Sequence, residues 1–482
     1  MKSMMNNHSA RTIAISAFAG LLVTYVETMI TPALPILVSF FDTNYDHLSW
    51  IITAYIISGT VSSAIFGRLA DMYGKKNVFL ILAIFYTIAV SFGGFAKTLE
   101  ELIIIRTVQG IGMGMFPVSF ALINDQVPKD RLALAQGIVS STFSGGAAIG
   151  LVVGAWITQN YGWQWSYHSS IPVAILLVIL AAIYLHDEST RRPAKIDFVG
   201  VGSLGFAIVS FILALSEGEY WGWTSPSIIG LFLLSLVMFA VFVFYEKNAA
   251  EPFIRMDLLR IRNVFLANIT GLFAMSGMFF LFYTVPSMLQ DPEPAGFGVS
   301  IVESGLILLP AAILNMAFAP LAAKVTTNRG PKNAIIIGLI ILLFSYLGLY
   351  YNRNSTISIL EDASVMGMGI SFIFVGVINL LLISVPKERS GESTGMNVVF
   401  RNIGTSLAPA IGGVLETLYV SYVIIGAIPG NFHGLPVIPI MHSFPSSQAY
   451  DGIYIIGMAF VLIALVLSMF MKNVVVSRGD EN

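Results

Sequence analysis

Gly67-Arg68-Leu69-Ala70-Asp71-Met72-Tyr73-Gly74-Lys75-Lys76 sets three cations, one carboxylate and two glycines between two long apolar blocks, about 48–70 and 77–96. Each block reaches the ~20 apolar residues that a helix needs to cross a bilayer. The connection is too short to be a domain. It reads as a tight, charged, glycine-hinged turn between two membrane spans, and the rest of the chain repeats that pattern.

Of the 482 residues, 56% are hydrophobic and only 11% charged. Soluble domains carry roughly 45–50% and 25%. The excess is gathered in blocks, not amphipathic stripes. Fourteen spans are expected, near 12–38, 48–70, 77–96, 100–124, 133–157, 167–186, 197–216, 226–246, 263–289, 300–323, 333–351, 357–384, 392–425 and 451–472. The weakly basic N-terminus runs straight into the first of these, so it reads as a membrane helix and not a removed signal peptide. Segment 426–450 holds four prolines and no Lys or Arg, and reads as an extended loop.

An even span count puts both termini on one side, and 21 of the 25 Lys and Arg fall there. Lys97 and Arg353 lie opposite; Arg106 and Arg401 are inside spans. By the positive-inside rule the termini are expected in the cytoplasm, in a multi-pass protein of the cell membrane. All six tryptophans fall at the opposite ends of the spans, where indoles favour headgroups. With no cysteine, disulfides and thiol chemistry are excluded. The histidines show no metal-ligand spacing, and no phosphate-binding glycine loop is present, which argues against an enzyme or a self-contained ATP pump. Neither metal nor cofactor is expected, and nucleic acid is not an expected partner.

Val127-Pro128-Lys129-Asp130-Arg131 recurs as Val385-Pro386-Lys387-Glu388-Arg389, 258 residues on, with Gly137, Gly146 and Gly154 matched by Gly395, Gly404 and Gly412. The opening stretch recurs at an offset of 256, Gly67 falling on Ala323, Asp71 on Thr327 and Gly74 on Gly330. The expected plan is an all-α membrane protein of two six-helix halves, 1–190 and 263–482, with two extra helices in 191–262. Duplicated helical halves around a midplane cavity are a recurrent build of secondary transporters.

These motifs resemble the major facilitator superfamily, and within it the 14-spanner drug:proton antiporter family. Residues 67–76 resemble the superfamily's loop between spans 2 and 3. Leu102-Ile-Ile-Ile-Arg106-Thr-Val-Gln109-Gly110-Ile-Gly112 resembles the fourth-span motif, whose arginine the family uses in proton coupling. Glu27-Thr-Met-Ile-Thr-Pro32-Ala-Leu-Pro35 resembles the first-span motif, with glutamate where aspartate is usual. Trp221-Gly-Trp223 and Glu251-Pro252-Phe253 are also typical of that branch. The span 5 antiporter signature departs: Gly146-Ala-Ala-Ile-Gly150-Leu151-Val-Val-Gly154 has Leu151 where the family has proline, and the repeat keeps a proline only at Pro409.

The resemblance implies proton-coupled export of hydrophobic or cationic small molecules by alternating access; the alternative is a symporter or facilitator for a small metabolite on the same fold. Glu27 is the candidate proton carrier. A carboxylate inside the bilayer costs ~3 kcal/mol and faces the bundle interior, and taking it out of water favours its protonated form while a cation opposes that. Arg106 is at similar depth and is expected to pair with it. Gly67, Arg68, Asp71, Gly74, Lys75 and Lys76 are expected to form a conformational latch, the three cations reaching carboxylates of the facing half. Gly146, Gly150, Gly154 and Pro409 are the candidate bending and packing positions. Tyr25, Gln109, Met113, Asn268, Tyr283, Asn315 and Asn379 are polar or soft residues that could line a cavity. The partners expected are a small molecule, protons and the lipid bilayer, and the protein is expected to be monomeric.

Overall fold

The computed structural model describes residues 7–43, 45–186, 197–249, 257–293, 295–432 and 435–474. Fourteen helices among them are long and apolar enough to cross a membrane: His8–Thr28, Trp50–Tyr73, Lys75–Gly93, Leu99–Gln126, Arg131–Tyr161, Trp163–Tyr184, Phe198–Gly218, Pro226–Asn248, Arg262–Gln290, Val302–Arg329, Pro331–Tyr351, Thr356–Ser384, Lys387–Glu416 and Ser447–Met469. They are numbered spans 1 to 14. The face that carries both termini is called here the terminal face.

Spans 1–6 share one apolar core, built around Val23, Tyr55, Leu82, Tyr86 and Tyr167. Spans 9–14 share another, around Phe280, Leu339, Tyr346, Phe374 and Tyr454, and spans 7 and 8 lean on it through Leu204, Ile208 and Phe242. Span 8 is the least covered, with only 17% of its apolar window buried, so its remaining surface is left for lipid.

Three elements depart from the expected pattern. The span 1 helix is Asn7–Thr28, not 12–38; a 3₁₀ turn, Thr31–Ala33, and a short helix, Leu34–Phe40, follow it. Pro32 and Pro35 bring no amide hydrogen, so the helical ladder cannot run through them. Span 13 ends at Leu418, and the expected loop instead forms an antiparallel hairpin, Val420–Phe432 with Leu435–Pro445. β-Branched residues such as Val423, Ile424, Ile425, Val437 and Ile438 suit a strand better than a coil. Trp163 opens span 6, at a span end as expected, but is buried against Phe40, Phe41 and Tyr167 and does not present its indole to headgroups. The Glu251-Pro252-Phe253 motif lies outside the described residues.

The duplication is visible in the backbone. Gly74 and Gly330 both have positive φ, 100° and 89°, at matching places in the two repeats. Only glycine adopts such a conformation without strain, and it turns the chain between consecutive spans. Gly137 of span 5 sits against the Ala319 carbonyl of span 10, while Gly395 of span 13 sits against the Ser63 carbonyl of span 2. Those pairs are related by the 258 and 256 offsets. The two six-span groups therefore meet along two equivalent seams, span 2 on span 13 and span 5 on span 10.

Inside each group the glycine ladder is a packing device. Gly146, Gly150 and Gly154 lie against the backbone of span 1 at Leu21, Tyr25 and Met29. Thr28 donates across that contact to the Ala147 carbonyl at 2.9 Å. Gly404 lies against the Leu272 carbonyl in the same way, and Ser276 donates to the Gly404 carbonyl at 2.9 Å. The span 5 helix Lys129–Tyr161 runs unbroken, whereas Pro409 stands inside helix Ser390–Leu418 and leaves one carbonyl without its helical donor. Replacing Gly150 with Val would set a Cβ about 2.4 Å from the Tyr25 carbonyl. Overpacking of this kind costs about 1–3 kcal/mol, so Gly150→Val is expected to lower the melting temperature of the detergent-purified protein by several degrees. Gly230→Val, where a Cβ meets nothing within 4 Å, is expected to leave it unchanged.

Candidate functional site

Span 4 is not one regular helix. Leu99–Gly110 begins with Thr98 accepting the Glu101 amide hydrogen. It passes into a 3₁₀ turn, Ile111–Gly114, and resumes as Met115–Gln126. Pro117 cannot donate to the Met113 carbonyl, which takes a hydrogen bond from Ser63 Oγ at 3.3 Å instead. Gly110, Gly112 and Gly114 let this tightened segment press on Tyr55, Tyr86 and Ser62.

The segment before the turn carries Arg106, which is fully buried. Its Nε donates to the Ile51 carbonyl at 3.1 Å, Nη1 to the Val26 carbonyl at 3.4 Å and to Gln109 Oε1 at 3.2 Å, and Nη2 to the Glu27 carbonyl at 3.3 Å. The guanidinium also lies over the Tyr55 ring, 4.4 Å from its centroid. Two of these acceptors are last-turn carbonyls of the span 1 helix, which ends at Thr28. Such carbonyls have no helical donor and carry the negative end of the helix dipole. Arg106 therefore caps span 1. The expected side-chain ion pair is absent: Glu27 and Arg106 make none within 4.0 Å, although the guanidinium charge still acts on the half-buried carboxylate through space. The proline break explains the difference, because it frees the carbonyls that take the guanidinium. The helix also begins at Asn7, so Glu27 lies about 30 Å from its start at ~1.5 Å per residue, nearer the opposite face than a start at Thr12 implies.

The second cluster lies on the terminal face, along the seam between spans 2 and 13. Asp71, buried at 4% exposure, accepts the amide hydrogens of Gly391 at 3.3 Å and Glu392 at 2.9 Å. These amides belong to the first turn of helix Ser390–Leu418, where a negative charge is favoured. Arg68 reaches Glu392 at 3.3 Å. Lys75 Nζ lies 2.7 Å from Asp125 and 3.7 Å from Asp71, and 3.1 Å from Ser390 Oγ. Gly67 and Gly391 face each other so closely that a Cβ on either would meet the other's carbonyl oxygen at 2.4 or 2.2 Å. Of the three expected cross-half cations, only Arg68 pairs with a carboxylate of the facing group. Lys75 pairs within its own group and across the seam reaches the Ser390 hydroxyl and, at 3.5 Å, the Lys387 carbonyl, and Lys76 donates to the Ala182 carbonyl at 3.0 Å. Asp125 and Glu392 were not singled out in the sequence; Asp125 stands one turn after Ala121, whose carbonyl also faces Lys75, but nothing in a lone acid at a span end marks it.

At the equivalent seam between spans 5 and 10 the polar network is gone. By the repeat offsets, Thr327 stands for Asp71, Pro331 for Lys75, Ile383 for Asp125, Leu132 for Ser390 and Ala133 for Gly391. Ala133, Ala322, Ala323, Phe372 and Val375 pack there instead. Below them opens a cavity of about 420 Å³, lined in part by Thr327, Pro331, Leu132, Ile383 and Asn379.

The remaining expected cavity residues do not form one wall. Gln109 belongs to the Arg106 cluster, whereas Tyr25 bonds to Ser169 and Ser170 of span 6. Met113 covers Gly59. Asn268 accepts from Asn397 Nδ2 at 3.1 Å and donates to the Val264 carbonyl at 2.9 Å. Tyr283 donates to Glu416 at 2.9 Å near the opposite face. Asn315 is buried in span 10 with its Nδ2 unbonded, and Asn379 faces the terminal-face cavity. Among the described residues no group of three or more His, Asp or Glu is placed to hold a metal ion.

The sequence profile described as Major Facilitator Superfamily matches residues 16–409. The chain is similar to the multidrug transporter protein MdtP of Bacillus subtilis, 29% identical over 85% of this chain and 74% of that one. It is 26% identical to the tetracenomycin C resistance and export protein of Streptomyces glaucescens, over 84% and 75% of the two chains. Among solved structures, the human organic anion transporter MFSD10 superposes with a TM-score of 0.69 at 13% identity, covering 95% of this chain and 99% of that one. The proton:xylose symporter XylE gives 0.67 at 14%, covering 98% and 97%. With fourteen apolar spans, two six-span groups and a profile match across most of its length, the chain belongs to the Major Facilitator Superfamily and is a membrane transporter, not an enzyme.

Proposed function

We propose that this transporter exports hydrophobic small molecules in exchange for protons, by alternating access in the cell membrane with its termini in the cytoplasm. The moving bodies are the halves 1–190 and 263–482, with 191–262 as an insert, and the working unit is a monomer. The observation that carries the reading is Glu27, a half-buried carboxylate inside the bilayer, one residue from the helix end that Arg106 caps. A proton there changes the charge facing a guanidinium that itself fastens span 1 to spans 2 and 4. Protonation thereby acts on the contact that sets the position of span 1. The similarity to a multidrug transporter and to an antibiotic export protein supports the direction and the substrate class.

The Asp71 network supports a latch. It joins the two six-span groups on the terminal face through bonds that a rocking motion breaks, which is how a two-state transporter holds one face closed. One charge crossing ~100 mV gains about 2.3 kcal/mol, a roughly 50-fold gradient of a neutral solute. A second reading, symport or facilitation of a metabolite, is favoured by one observation: Leu151 leaves the span 5 helix Lys129–Tyr161 without the proline of the antiporter signature.

Everted vesicles separate the two readings. Addition of substrate is expected to release protons from the acidified lumen, and Glu27→Gln to abolish gradient-driven substrate uptake while leaving the melting temperature unchanged; coupled uptake at the normal rate in that variant would remove Glu27 from the mechanism. The latch is tested in the same protein, whose lack of cysteine permits spin labels at Asn77→Cys and Lys387→Cys. Asp71→Asn keeps the shape but removes the charge from the helix N-terminus, a contribution of about 0.3–2 kcal/mol. The label distances are expected to shift several-fold in population towards the longer, open separation; an unchanged distribution would reduce the network to a static contact.

A further inference from the structure

Arg401 is a buried-side cation that neither the Glu27 site nor the terminal-face network uses. It lies three turns into helix Ser390–Leu418, about 16 Å from its start at ~1.5 Å per residue, close to the middle of a ~30 Å hydrocarbon core. Cations at that depth are costly and pair with an acid or with carbonyls. Arg106 obeys the rule with four hydrogen bonds. Among the described residues Arg401 has neither ion pair nor hydrogen bond, and its Nε is buried without a partner. The carboxylates that could have met it are engaged elsewhere: Glu392 with Arg68, Asp71 and Asp125 with Lys75, Glu416 with Tyr283, and Glu27 beside Arg106.

Its surroundings place it inside the bundle, between the two six-span groups. The stem runs past Gly271 of span 9, where an added Cβ would meet its Cγ at 3.7 Å. The guanidinium lies over the Phe374 ring of span 12, 4.3 Å from the centroid. Phe374 stacks on Phe143 of span 5, 6.5 Å apart with planes at 20°, and Phe143 meets Phe116 of span 4 edge-on at 4.4 Å. Next to Arg401, Asn402 donates to Thr60 of span 2 at 2.7 Å. The repeat offset of 258 relates Phe116 to Phe374 and Phe143 to Arg401. The four side chains therefore sit around the pseudo-two-fold axis, where equivalent residues of the two groups meet. Here too the duplicate halves diverge in charge: Arg401 of span 13 stands where span 5 has Phe143.

We propose that Arg401, with Phe374, Phe143 and Phe116, is the selecting surface of the transport pathway and that it takes aromatic organic anions, such as carboxylates and phenolates, in preference to aromatic cations. The proposal rests on the transporter reading above and narrows its substrate class, away from the cationic compounds that the sequence pattern also allowed. An anion supplies the acceptors that the guanidinium lacks, and the three rings supply a stacking wall for the ring that bears it. A cationic aromatic meets the same wall and an unscreened like charge in a low-dielectric interior. Arg401 is a cation a ligand completes.

The test compares fluorescein and rhodamine 123, which share a xanthene skeleton and differ in charge, by equilibrium fluorescence anisotropy on the full-length purified protein without any proton gradient. The unsubstituted protein is expected to bind fluorescein at least tenfold more tightly than rhodamine 123. Arg401→Gln is expected to erase the preference, and Arg401→Lys to keep most of it. A purely structural cation–π staple predicts that Arg401→Gln lowers the melting temperature and leaves the binding ratio unchanged; that result overturns the proposal, as does a preference for rhodamine 123 or the absence of fluorescein binding. If Arg401→Gln does not fold, Arg401→Lys together with Phe374→Leu carries the test: the ratio must survive the first, and both affinities must fall in the second; a lost ratio in the first or unchanged affinities in the second overturns the proposal. Unchanged coupled transport in Glu27→Gln with intact dye selectivity would sink the proton-coupling reading alone.

Discussion

A carboxylate held against the amide hydrogens of another helix's first turn organises this molecule. Asp71 sits at the end of span 2, buried, and accepts from Gly391 and Glu392 at the start of span 13. The contact joins partial charges of the backbone to a full charge, so it depends on the orientation of a whole helix and not on one flexible side chain. It can form only because Gly67 and Gly391 let the two backbones approach to van der Waals limits. Lys75, held between Asp71 and Asp125, sets a positive charge beside the carboxylate and holds it in place. Remove any of these and the two six-span groups lose their strongest join on the terminal face.

The interior follows a similar economy, in which backbone groups do work that side chains are usually credited with. Arg106 is held by three carbonyls and one amide oxygen, not by an acid. Its position depends on two breaks: the prolines that end the span 1 helix, and the 3₁₀ turn that follows it in span 4. Both breaks expose polar backbone within the membrane, where it is tolerated only when protein groups satisfy it. Ser63 and Arg106 supply those groups. The result leaves Glu27 beside a fixed positive charge without being locked to it, a geometry suited to a group that must gain and lose a proton.

Much of the architecture was legible because it depends on bulk properties of segments. Block hydropathy gave the fourteen spans, cation placement gave the even count, and the two glycine turns at Gly74 and Gly330 marked the duplication before any coordinates. The site was less legible, for identifiable reasons. Carbonyl acceptors such as those of Ile51 and Val26 have no signature in side-chain identity, so the capping of span 1 could not be read. Asp125 and Glu392 are ordinary acids until folding brings Lys75 and Arg68 to them. Asn397 becomes visible only as the partner of Asn268. The list of polar residues within spans scattered over several sites because depth along a helix says little about which face of the bundle a side chain joins. Segment 426–450 was misjudged through its prolines: Pro429 and Pro436 border an irregular stretch of the pairing, Pro439 and Pro445 are paired, and none prevents a hairpin.

Among the described residues, the duplication that built the two seams kept ion pairs in only one of them. Spans 2 and 13 are joined by hydrogen bonds and ion pairs, whereas spans 5 and 10 touch through alanine, valine and phenylalanine over a hollow of about 420 Å³. Dispersion contacts forfeit about a quarter to a half of their attraction over the first 0.5–1 Å of separation, while a charge facing a helix end is felt across the whole first turn. A pair of bodies fastened so unequally does not part like two parallel plates. The apolar seam gives first and the Asp71 bonds break last, so the first gap to admit water is a wedge whose wide mouth lies on the greasy side.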